Sequence, residues 1–406
     1  MRGGSTRIST GGGQASLNGG PVPYDHPVRR RPERLQRLPQ QYFVTLLGRV
    51  SAEAARDGPP LVDLGRGNPE TGPPPHVVEA LRAAALDPSV HGYAPIRGLP
   101  RMREAIAGRY RDVYGVPLDP ATEVAVIPGT KTGIVELAMG LCDEGDTLLL
   151  PDPYYPDYPS GPALAGAAID LVPLRADEGW APDLATAPSA AALYLNYPSN
   201  PCAVCAPPGV FDDAVEWAHR TNGAVVHDAA YMDIVFDGRK PESFLATPAA
   251  KDVGVEMWSM SKTYGMAGWR IGFVVGNAEI VERINLFNDH SRVGIFAPLQ
   301  AAAIAALEGP QDSVAERVAA YARRRDVLAA ALDEPIVCEG TFFVWLRLPD
   351  GLTAEALLTE HRVAVAPGEG FGPSGTGWAR LSLAVTDETI ELGAERLQRA
   401  FATVAA

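Results

Sequence analysis

VEMWSMSKTYGMAGWRIGFVV, residues 255–275, is the most informative stretch of this 406-residue sequence. It holds two apolar runs, VEMWSM (255–260) and RIGFVV (270–275), around a segment of small and polar residues. Nine residues separate the runs, which is too few for the crossover helix that a parallel connection needs. We therefore predict two adjacent strands that pair antiparallel.

Five further runs of apolar and β-branched residues precede this stretch. They are EVAVIP (123–128), TLLLP (147–151), AIDLVPL (168–174), ALYLN (192–196) and AVVHD (224–228). Helical stretches such as 132–142 and 210–220 lie between several of the runs. Strands and helices that alternate at this spacing are typical of α/β proteins. The sequence thus predicts a seven-stranded, mostly parallel sheet with helices on both faces.

The chain divides into four predicted parts. Residues 1–30 are rich in Gly, Ser, Thr and Pro, and we predict a disordered tail because they can bury little apolar surface. The other parts are an N-terminal arm at 31–62 that joins the small domain, a large domain at 63–297 and a small C-terminal α+β domain at 298–406. The predicted helices of the small domain lie at roughly 298–333, 353–361 and 387–404.

The composition excludes several classes of protein. Apolar residues make up 46% and charged residues 21% of the chain, which argues against a mainly disordered state. The net charge of −14 disfavours nucleic acid as a partner, because that contact normally needs a basic face. The first residues do not show the pattern of a secretory signal. No run approaches the roughly 18 consecutive apolar residues that a membrane helix needs. Four cysteines are too few for a disulfide framework in a chain of this length. We therefore expect a cytoplasmic protein without nucleic-acid or membrane partners.

Four short stretches follow strand ends, the edge at which open α/β sheets bind ligands. In IPGTKTG (127–133) a strand runs into a helix, whose free N–H groups and dipole favour a phosphate. Many ordinary strand–helix turns share this pattern, so a purely structural turn fits it as well. In NYPSNP (196–201) two prolines stiffen a loop that presents the Asn200 amide, although an ordinary Asn-Pro turn fits equally.

The third stretch, VVHDAAY (225–231), places Asp228 at the end of a buried strand. A buried carboxylate is costly unless it has a cationic or N–H partner, which favours a functional role. His227 points to the opposite face of the strand, because side chains alternate. We interpret His227 as a packed core histidine.

The fourth stretch, WSMSKTYGMAGWR (258–270), is the most specific of the four. Lys262 lies among small and apolar residues, so lost solvation should lower the pKa of its amine and make it a nucleophile. Ser259, Ser261 and Arg270 add hydroxyl groups and a fixed cation, which suit a phosphate dianion.

With these stretches the chain resembles the fold type I pyridoxal-phosphate enzymes, class I/II aminotransferases, over about residues 40–404. It is similar to the branch that contains bacterial methionine, alanine and LL-diaminopimelate aminotransferases. The most similar segments are LGRGNPE (64–70), HGYAPIRGLPRMREAIAGRY (91–110), LLLPDPYYPDY (148–158) and SKTYGMAGWRIGF (261–273).

The resemblance implies pyridoxal 5′-phosphate as cofactor and gives roles to single residues. Lys262 resembles the Schiff-base lysine that also moves a proton, and Asp228 matches the carboxylate that pairs with the pyridine N–H. Asn200 and Tyr231 match groups hydrogen-bonded to the ring hydroxyl, and Tyr155 matches the aromatic residue on the ring face. The residues that resemble the phosphate cup are Gly129, Thr130, Lys131, Ser259, Ser261 and Arg270.

The resemblance also implies substrate contacts and a partner. Arg380 matches the arginine that binds the substrate α-carboxylate, with Gly67 and Asn200 as further substrate contacts. Tyr93 corresponds to a tyrosine that reaches the phosphate of the neighbouring subunit, which implies a homodimer with shared active sites. No metal site is predicted.

Arg66 and Arg292 lie where the family has its substrate loops. An arginine in a dry pocket would select a substrate with a distal carboxylate, so one hypothesis is that glutamate and 2-oxoglutarate form one substrate pair. Alternatively, one or both arginines point to solvent or pair with a local acid such as Glu70 or Asp289.

The implied function is amino transfer between an L-amino acid and a 2-oxo acid by a ping-pong route through pyridoxamine phosphate. A second hypothesis keeps the cofactor but ends in elimination, replacement or C–C bond formation, as in secondary metabolism. It is motivated by Cys202-Ala203, which follows Asn200-Pro201 where the family usually has Thr-Gly. Cys202-x-x-Cys205 is also a formal CxxC, which we interpret as loop composition. A non-catalytic cofactor-binding regulator is disfavoured because neither end has a basic helix-turn-helix.

Overall fold

The computed structural model describes residues 31–332 and 336–404, so the predicted tail at 1–30 lies outside the described residues. Helices α1 to α14 are, in order, Glu33–Gln36, Tyr42–Ala54, Pro75–Ala85, Pro100–Arg109, Thr130–Leu141, Ser160–Ala165, Val210–Thr221, Ala250–Val253, Met260–Thr263, Ala278–Ser291, Ala297–Glu308, Asp312–Leu332, Ala354–Thr359 and Asp387–Val404. Strands β1 to β12 are Val62–Asp63, Val124–Ile127, Thr147–Asp152, Ala168–Pro173, Ala192–Asn196, Ala224–Asp228, Gly254–Ser259, Gly272–Gly276, Phe343–Arg347, Val363–Ala364, Ala366–Pro367 and Trp378–Ser382. No helix in the described part of the chain is long and apolar enough to cross a membrane.

Seven strands form the central sheet in the order β2-β8-β7-β6-β5-β3-β4. β8 pairs antiparallel with both of its neighbours, and the other pairs are parallel. Each of the seven predicted runs forms one of these strands. The antiparallel pairing predicted from the nine-residue spacing is confirmed for β7 and β8. The mostly parallel α/β sheet predicted from the sequence is therefore present.

The central sheet is buried on both faces. In β2, Val124 and Val126 belong to one core cluster, whereas Ala125 and Ile127 belong to a second cluster on the other face. Helices α4 and α7 contribute to the first cluster, and α5 and α10 contribute to the second. Strands covered on both faces read as nearly continuous apolar runs, which explains why they were visible in the sequence.

The C-terminal part of the chain builds a core of its own. β9, β11 and β12 form an antiparallel sheet in the order β11-β12-β9, and β1 pairs parallel with β10. The helical region predicted at 298–333 is two helices, α11 and α12, because Gly309 and Pro310 interrupt it and proline lacks the N–H that a helix interior needs. The predicted domain boundaries at residues 62 and 297 stay predictions.

The carboxyl ends of several strands lie along one edge of the central sheet. β5, β6 and β7 are parallel and end at Asn196, Asp228 and Ser259. Ile127, the last residue of β2, pairs with Gly272, and Gly272 also pairs with Ser259. The four stretches that carry the predicted chemistry are therefore brought to the same edge.

Candidate active site

A cleft of about 720 Å³ opens at this edge of the sheet. The predicted site residues that line it are Arg66, Gly67, Thr130, Lys131, Tyr155, Asn200, Asp228, Tyr231, Ser259, Ser261, Lys262, Arg270 and Arg380. Gly129 lies against the cleft residue Arg270. Tyr93 and Arg292 are not among the residues that line this cleft.

Lys262 lies on the short helix α9, directly after β7. Its Nζ donates a hydrogen bond to the Gly67 carbonyl at 2.8 Å. The same nitrogen is 5.8 Å from the ring centroid of Tyr231 and 5.3 Å from that of Phe342. These neighbours are neutral, and no carboxylate in the described part of the chain forms an ion pair with the amine.

The surroundings of Lys262 favour its uncharged form. Burial lowers the pKa of Lys262 to about 8, and the positive charges of Arg380 and Arg270 act in the same direction. The Asp228 carboxylate opposes this effect. An amine that loses its proton this easily is available as a nucleophile and as a base near neutral pH.

The lowered pKa predicts how Lys262 reacts with an acylating reagent. Only the uncharged amine is acylated. Labelling of Lys262 in the cofactor-free protein is therefore expected to rise as the pH passes about 8, rather than 10.5, the ordinary pKa of a lysine. At pH 7 the uncharged fraction of Lys262 is then roughly 300-fold larger than that of an ordinary lysine. Acetic anhydride labelling with peptide mass spectrometry measures this, with the exposed Lys240 as the reference in the same sample. A midpoint above pH 10 for Lys262 would contradict the prediction.

A buried ion pair fixes the turn that carries Lys262. The Thr263 hydroxyl donates to Asp233 at 3.2 Å, and Asp233 accepts from Arg109 at 2.8 Å. The side chains of Arg109 and Asp233 are only 6% and 5% exposed. The Thr263 carbonyl also accepts from Arg317. Because a buried pair is costly to break, these contacts hold the Lys262 turn in place.

Asp228 ends β6 at the bottom of the cleft and is 7% exposed. Its carboxylate accepts hydrogen bonds from the Tyr158 hydroxyl at 2.9 Å and from the Ala230 N–H at 3.2 Å. Burial raises the pKa of Asp228, and these two donors oppose the rise. Both donors are neutral, so the carboxylate has room for a cationic partner such as a protonated ring nitrogen.

The start of α5 forms the other end of the cleft. No side chain of residues 31–332 or 336–404 caps this helix, so its first N–H groups are available to an anion. Gly129, just before the helix, has φ of 88°, and a Cβ there would lie 2.4 Å from Arg270 Nη2. Glycine therefore lets the guanidinium approach the helix start. Ser259 and Ser261 line the same cleft, and together these groups suit a phosphate.

Lys131 and Tyr155 both contact Asp157. Asp157 accepts from the Tyr155 hydroxyl at 2.7 Å, lies 2.8 Å from Lys131 Nζ, and accepts from Gln41 Nε2 at 2.7 Å. Burial raises the pKa of Asp157, but these three donors lower it overall. The Lys131 ammonium is therefore engaged with Asp157, whereas its N–H at the helix start can still face an anion.

Arg380, on β12, is 1% exposed. Its guanidinium donates to Asn200 Oδ1 at 2.7 Å and to the Gly65 carbonyl at 3.4 Å, and its Nε has no hydrogen-bond partner among the described residues. Its Cζ lies 3.8 Å from the ring centroid of Phe343 and 4.8 Å from that of Phe371. Burial lowers the pKa of Arg380 to about 10. A buried guanidinium with neutral partners is a suitable site for a carboxylate.

The two arginines predicted to select the substrate side chain are paired with acids of this chain. Arg66 lines the cleft, and its Nε lies 2.5 Å from Asp63 Oδ2. Arg292 is hydrogen-bonded to Glu136, which lies outside the cleft lining. Local acids therefore offset both charges, although the acids differ from those predicted. This pairing weakens the hypothesis that these arginines select a distal carboxylate.

The departure at Cys202-Ala203 leaves a backbone conformation that is typical of glycine. Ala203 has φ of 60°, in the left-handed region that favours the glycine the family usually has there. Cys202 is buried and Cys205 is partly buried, and both are free thiols. Among residues 31–332 and 336–404, no cluster of three or more His, Cys, Asp or Glu residues could hold a metal ion.

His227 faces away from the cleft, as strand alternation predicts. Its Nδ1 lies 2.8 Å from Glu256 Oε2, and its Nε2 lies 3.0 Å from the Tyr197 carbonyl oxygen. All of these groups are buried. The interpretation of His227 as a packed core histidine is confirmed.

The sequence does not predict the roles of Asn196 and Tyr158. Asn196 accepts from the Asn200 N–H at 2.7 Å and donates to the Asp228 carbonyl at 2.7 Å. Because Asn196 ends β5, the same strand-end rule that selects Asp228 could have selected it. Tyr158 has no such signal, because 70 residues separate it from Asp228.

The donors of the cleft fit the cofactor that the resemblance implies. Pyridoxal 5′-phosphate carries a ring nitrogen, a phosphate and an aldehyde. Asp228 has room for a cation, the uncapped start of α5 has room for an anion, and Lys262 presents an amine with a lowered pKa. Each of these three groups thus has a counterpart in this cleft.

Comparisons with known proteins also indicate an aminotransferase. The family model described as "Aminotransferase class I and II" matches residues 59–397. The L-glutamine–4-(methylsulfanyl)-2-oxobutanoate aminotransferase of Bacillus subtilis is 44% identical, with 89% of this chain and 94% of that protein covered. The LL-diaminopimelate aminotransferase of Dehalococcoides mccartyi is 39% identical, with 90% and 97% covered.

Comparison with solved structures also indicates an aminotransferase. The substrate-bound structure of BacF from Bacillus subtilis is 37% identical and has a TM-score of 0.85, with 92% of this chain and 98% of that chain covered. These relatives are aminotransferases by name, so they do not favour the elimination or replacement hypothesis. The chain belongs to the class I and II aminotransferases, enzymes of fold type I that transfer amino groups and use pyridoxal 5′-phosphate.

Proposed function

We propose that Lys262, Asp228 and Tyr231 are the catalytic residues of amino transfer between an L-amino acid and a 2-oxo acid. The bound cofactor supplies an aldehyde that carries the amino group and a ring that accepts electrons. The observation that carries the proposal is that the Lys262 amine and the Arg380 guanidinium face one cleft, while Arg380 Nε has no hydrogen-bond partner in the described part of the chain. Arg380 holds the substrate α-carboxylate, and Lys262 moves a proton close by.

The other proposed roles follow from position in the cleft. Asp228 keeps the ring nitrogen protonated through its charge. Asn200 and Tyr231 would hydrogen-bond the ring hydroxyl, and Asn200 also contacts Arg380, so it would link the cofactor site to the substrate site. Tyr155 would pack against the ring face. The proposed phosphate-binding residues are Gly129, Thr130, Lys131, Ser259, Ser261 and Arg270.

An assay of the purified holoenzyme with a panel of L-amino acids and 2-oxo acids tests the function. Amino transfer requires both substrates and yields a new amino acid from the added oxo acid. Elimination would instead release a leaving group without any oxo acid. Product formation that does not depend on a 2-oxo acid would contradict amino transfer.

Replacement of Arg380 by lysine tests the carboxylate site. Lysine keeps the positive charge but loses the planar fork that contacts both carboxylate oxygens. We expect kcat/KM for donor and acceptor to fall roughly 10- to 100-fold, mainly through KM. Steady-state kinetics measure this, with Arg347→Lys, an exposed arginine, as the control that leaves both KM values unchanged. Unchanged KM values in Arg380→Lys would exclude this role.

We also propose a homodimer with shared active sites. Tyr93 is 92% exposed, and Ile96, Val293 and Phe296 are exposed apolar residues of two segments. The segments are adjacent, because a Cβ on Gly294 would lie 2.4 Å from the Ala94 carbonyl oxygen. Exposed apolar patches of this kind are typical of interaction surfaces. A second copy would cover the patch and bring Tyr93 to the neighbouring phosphate site.

The dimer predicts a mass of twice the chain mass of 43.0 kDa in light scattering. A charge buried in an apolar contact is costly, so Phe296→Glu is expected to give monomers that have lost most of their activity. The control is Leu171→Glu. Leu171 lies on β4, the edge strand at the other end of the sheet from β2, and this variant should stay dimeric. Full activity in a protein of single-chain mass would contradict shared sites.

A further inference from the structure

The loop from Asp63 to Gly67 runs between the two ends of the proposed substrate site. The Gly65 carbonyl accepts from Arg380 at 3.4 Å, and the Gly67 carbonyl accepts from Lys262 at 2.8 Å. Arg66 lies between these two residues and lines the same cleft. Arg66 therefore borders the same cleft in which Arg380 is proposed to hold the substrate.

Arg66 and Asp63 present a donor and an acceptor side by side. Arg66 Nε lies 2.5 Å from Asp63 Oδ2, and the Gly65 N–H donates to Asp63 Oδ1 at 3.0 Å. The Arg66 side chain is 61% exposed, and Asp63 is 20% exposed. The hydrogen bond to Asp63 is made by Nε, so the terminal NH₂ groups of Arg66 keep donor capacity for a ligand.

The charges in this part of the cleft cancel. Asp63 offsets Arg66, and Glu70, another cleft residue, pairs with Arg324 at 2.7 Å and accepts from Tyr321 at 3.0 Å. An incoming carboxylate would be attracted by Arg66 and repelled by Asp63 at almost the same distance. A neutral group with one acceptor and one donor meets no such repulsion.

We propose, resting on the aminotransferase function above, that Asp63 and Arg66 select a substrate whose side chain ends in a carboxamide over one that ends in a carboxylate. The amide oxygen accepts from the terminal NH₂ groups of Arg66. The amide NH₂ donates to the Asp63 carboxylate, which accepts only. The pair acts on specificity and takes no part in proton transfer.

Asp63→Asn is the most selective variant for testing this role. An asparagine side chain keeps an oxygen that can accept from the Gly65 N–H, so the loop contact is preserved. It removes the negative charge and leaves Arg66 as an uncompensated cation. The variant should therefore gain affinity for a carboxylate, which a misfolded protein would not do.

The experiment compares L-glutamine with L-glutamate, which differ only in the terminal group. The holoenzyme is expected to show kcat/KM at least about tenfold higher for glutamine. Asp63→Asn should raise kcat/KM for glutamate roughly tenfold and reverse or abolish the preference. Arg66→Ala should lower kcat/KM for glutamine, which loses the donor to its amide oxygen, and should leave glutamate disfavoured, because the Asp63 carboxylate then acts without its cation. The double variant should not regain activity on glutamate.

A binding measurement separates recognition from chemistry. Glutarate and its monoamide, glutaramate, resemble the substrates but carry no amino or oxo group to transfer. Inhibition constants should favour glutaramate in the holoenzyme and shift toward glutarate in Asp63→Asn. The matched control is Asp112→Asn, which removes an exposed acid paired with Arg111 and should leave both ratios unchanged.

The outcomes distinguish this proposal from the function on which it rests. Amino transfer with an unchanged glutamine-to-glutamate ratio in Asp63→Asn, or with an unchanged kcat/KM for glutamine in Arg66→Ala, would overturn the selectivity while leaving the aminotransferase intact. A holoenzyme that prefers glutamate would overturn it as well. Absence of amino transfer from every amino acid tested would instead reject the proposed function.

Discussion

Replacement of Lys262 by alanine is expected to lower kcat for amino transfer by at least about 10⁴-fold. The variant removes the one amine of the cleft that combines burial with a lowered pKa of about 8. Lys131, which also lines the cleft, is paired with Asp157 at 2.8 Å and cannot replace it without breaking that pair. Initial rates with saturating donor and acceptor measure the loss.

The matched control for this prediction is Lys251→Ala. Lys251 is paired with Glu123 at 2.7 Å and is not among the residues that line the cleft. Its replacement should leave kcat within about twofold of the parent, as expected for an isolated pair away from the cleft. Both variants should unfold at similar denaturant concentrations, because Lys262 makes its only side-chain hydrogen bond in the described part of the chain to Gly67. Residual activity above a few per cent in Lys262→Ala would contradict its catalytic role.

Replacement of Asp228 by asparagine is the second change with a large expected effect. The substitution keeps the size of the side chain but removes the negative charge that holds the ring nitrogen in its protonated form. We expect kcat to fall roughly 10²- to 10³-fold, since a fixed charge in a site shielded from water acts strongly on developing charge. Steady-state kinetics on the cofactor-saturated variant measure this effect.

Tyr158→Phe provides the control for Asp228. It removes the hydroxyl that donates to Asp228 at 2.9 Å but leaves the carboxylate charge in place. The loss of one hydrogen bond to a charged group should reduce kcat only about tenfold. An equal loss in Tyr158→Phe and Asp228→Asn would indicate that geometry, rather than the charge of Asp228, carries the effect.

The sequence predicts the sheet well because burial on both faces leaves a local signal. The seven apolar runs correspond to seven strands, and the short spacing before RIGFVV predicts the antiparallel β8. The strand-end rule likewise points to Asp228 and Asn200, which both line the cleft. These features depend on residues close together in the chain, so they can be read without the fold.

The partners of the charged groups could not be predicted, because they come from distant parts of the chain. Glu136 is 156 residues from Arg292, and Asp233 is 124 residues from Arg109. Even the pairing of Arg66 with Asp63, three residues away, depends on the turn of the loop. The hypothesis that Arg66 and Arg292 select a distal carboxylate is therefore weakened by contacts that only the folded structure shows.

Reduction of the holoenzyme with borohydride, followed by peptide mapping, tests the central claim most directly. The reagent fixes the cofactor permanently on the amine to which it is bound. The sequence has four lysines, Lys131, Lys240, Lys251 and Lys262, so the assignment is unambiguous. We predict that the label lies on Lys262 alone; a label on any of the other three, or none after incubation with the cofactor, would contradict the account.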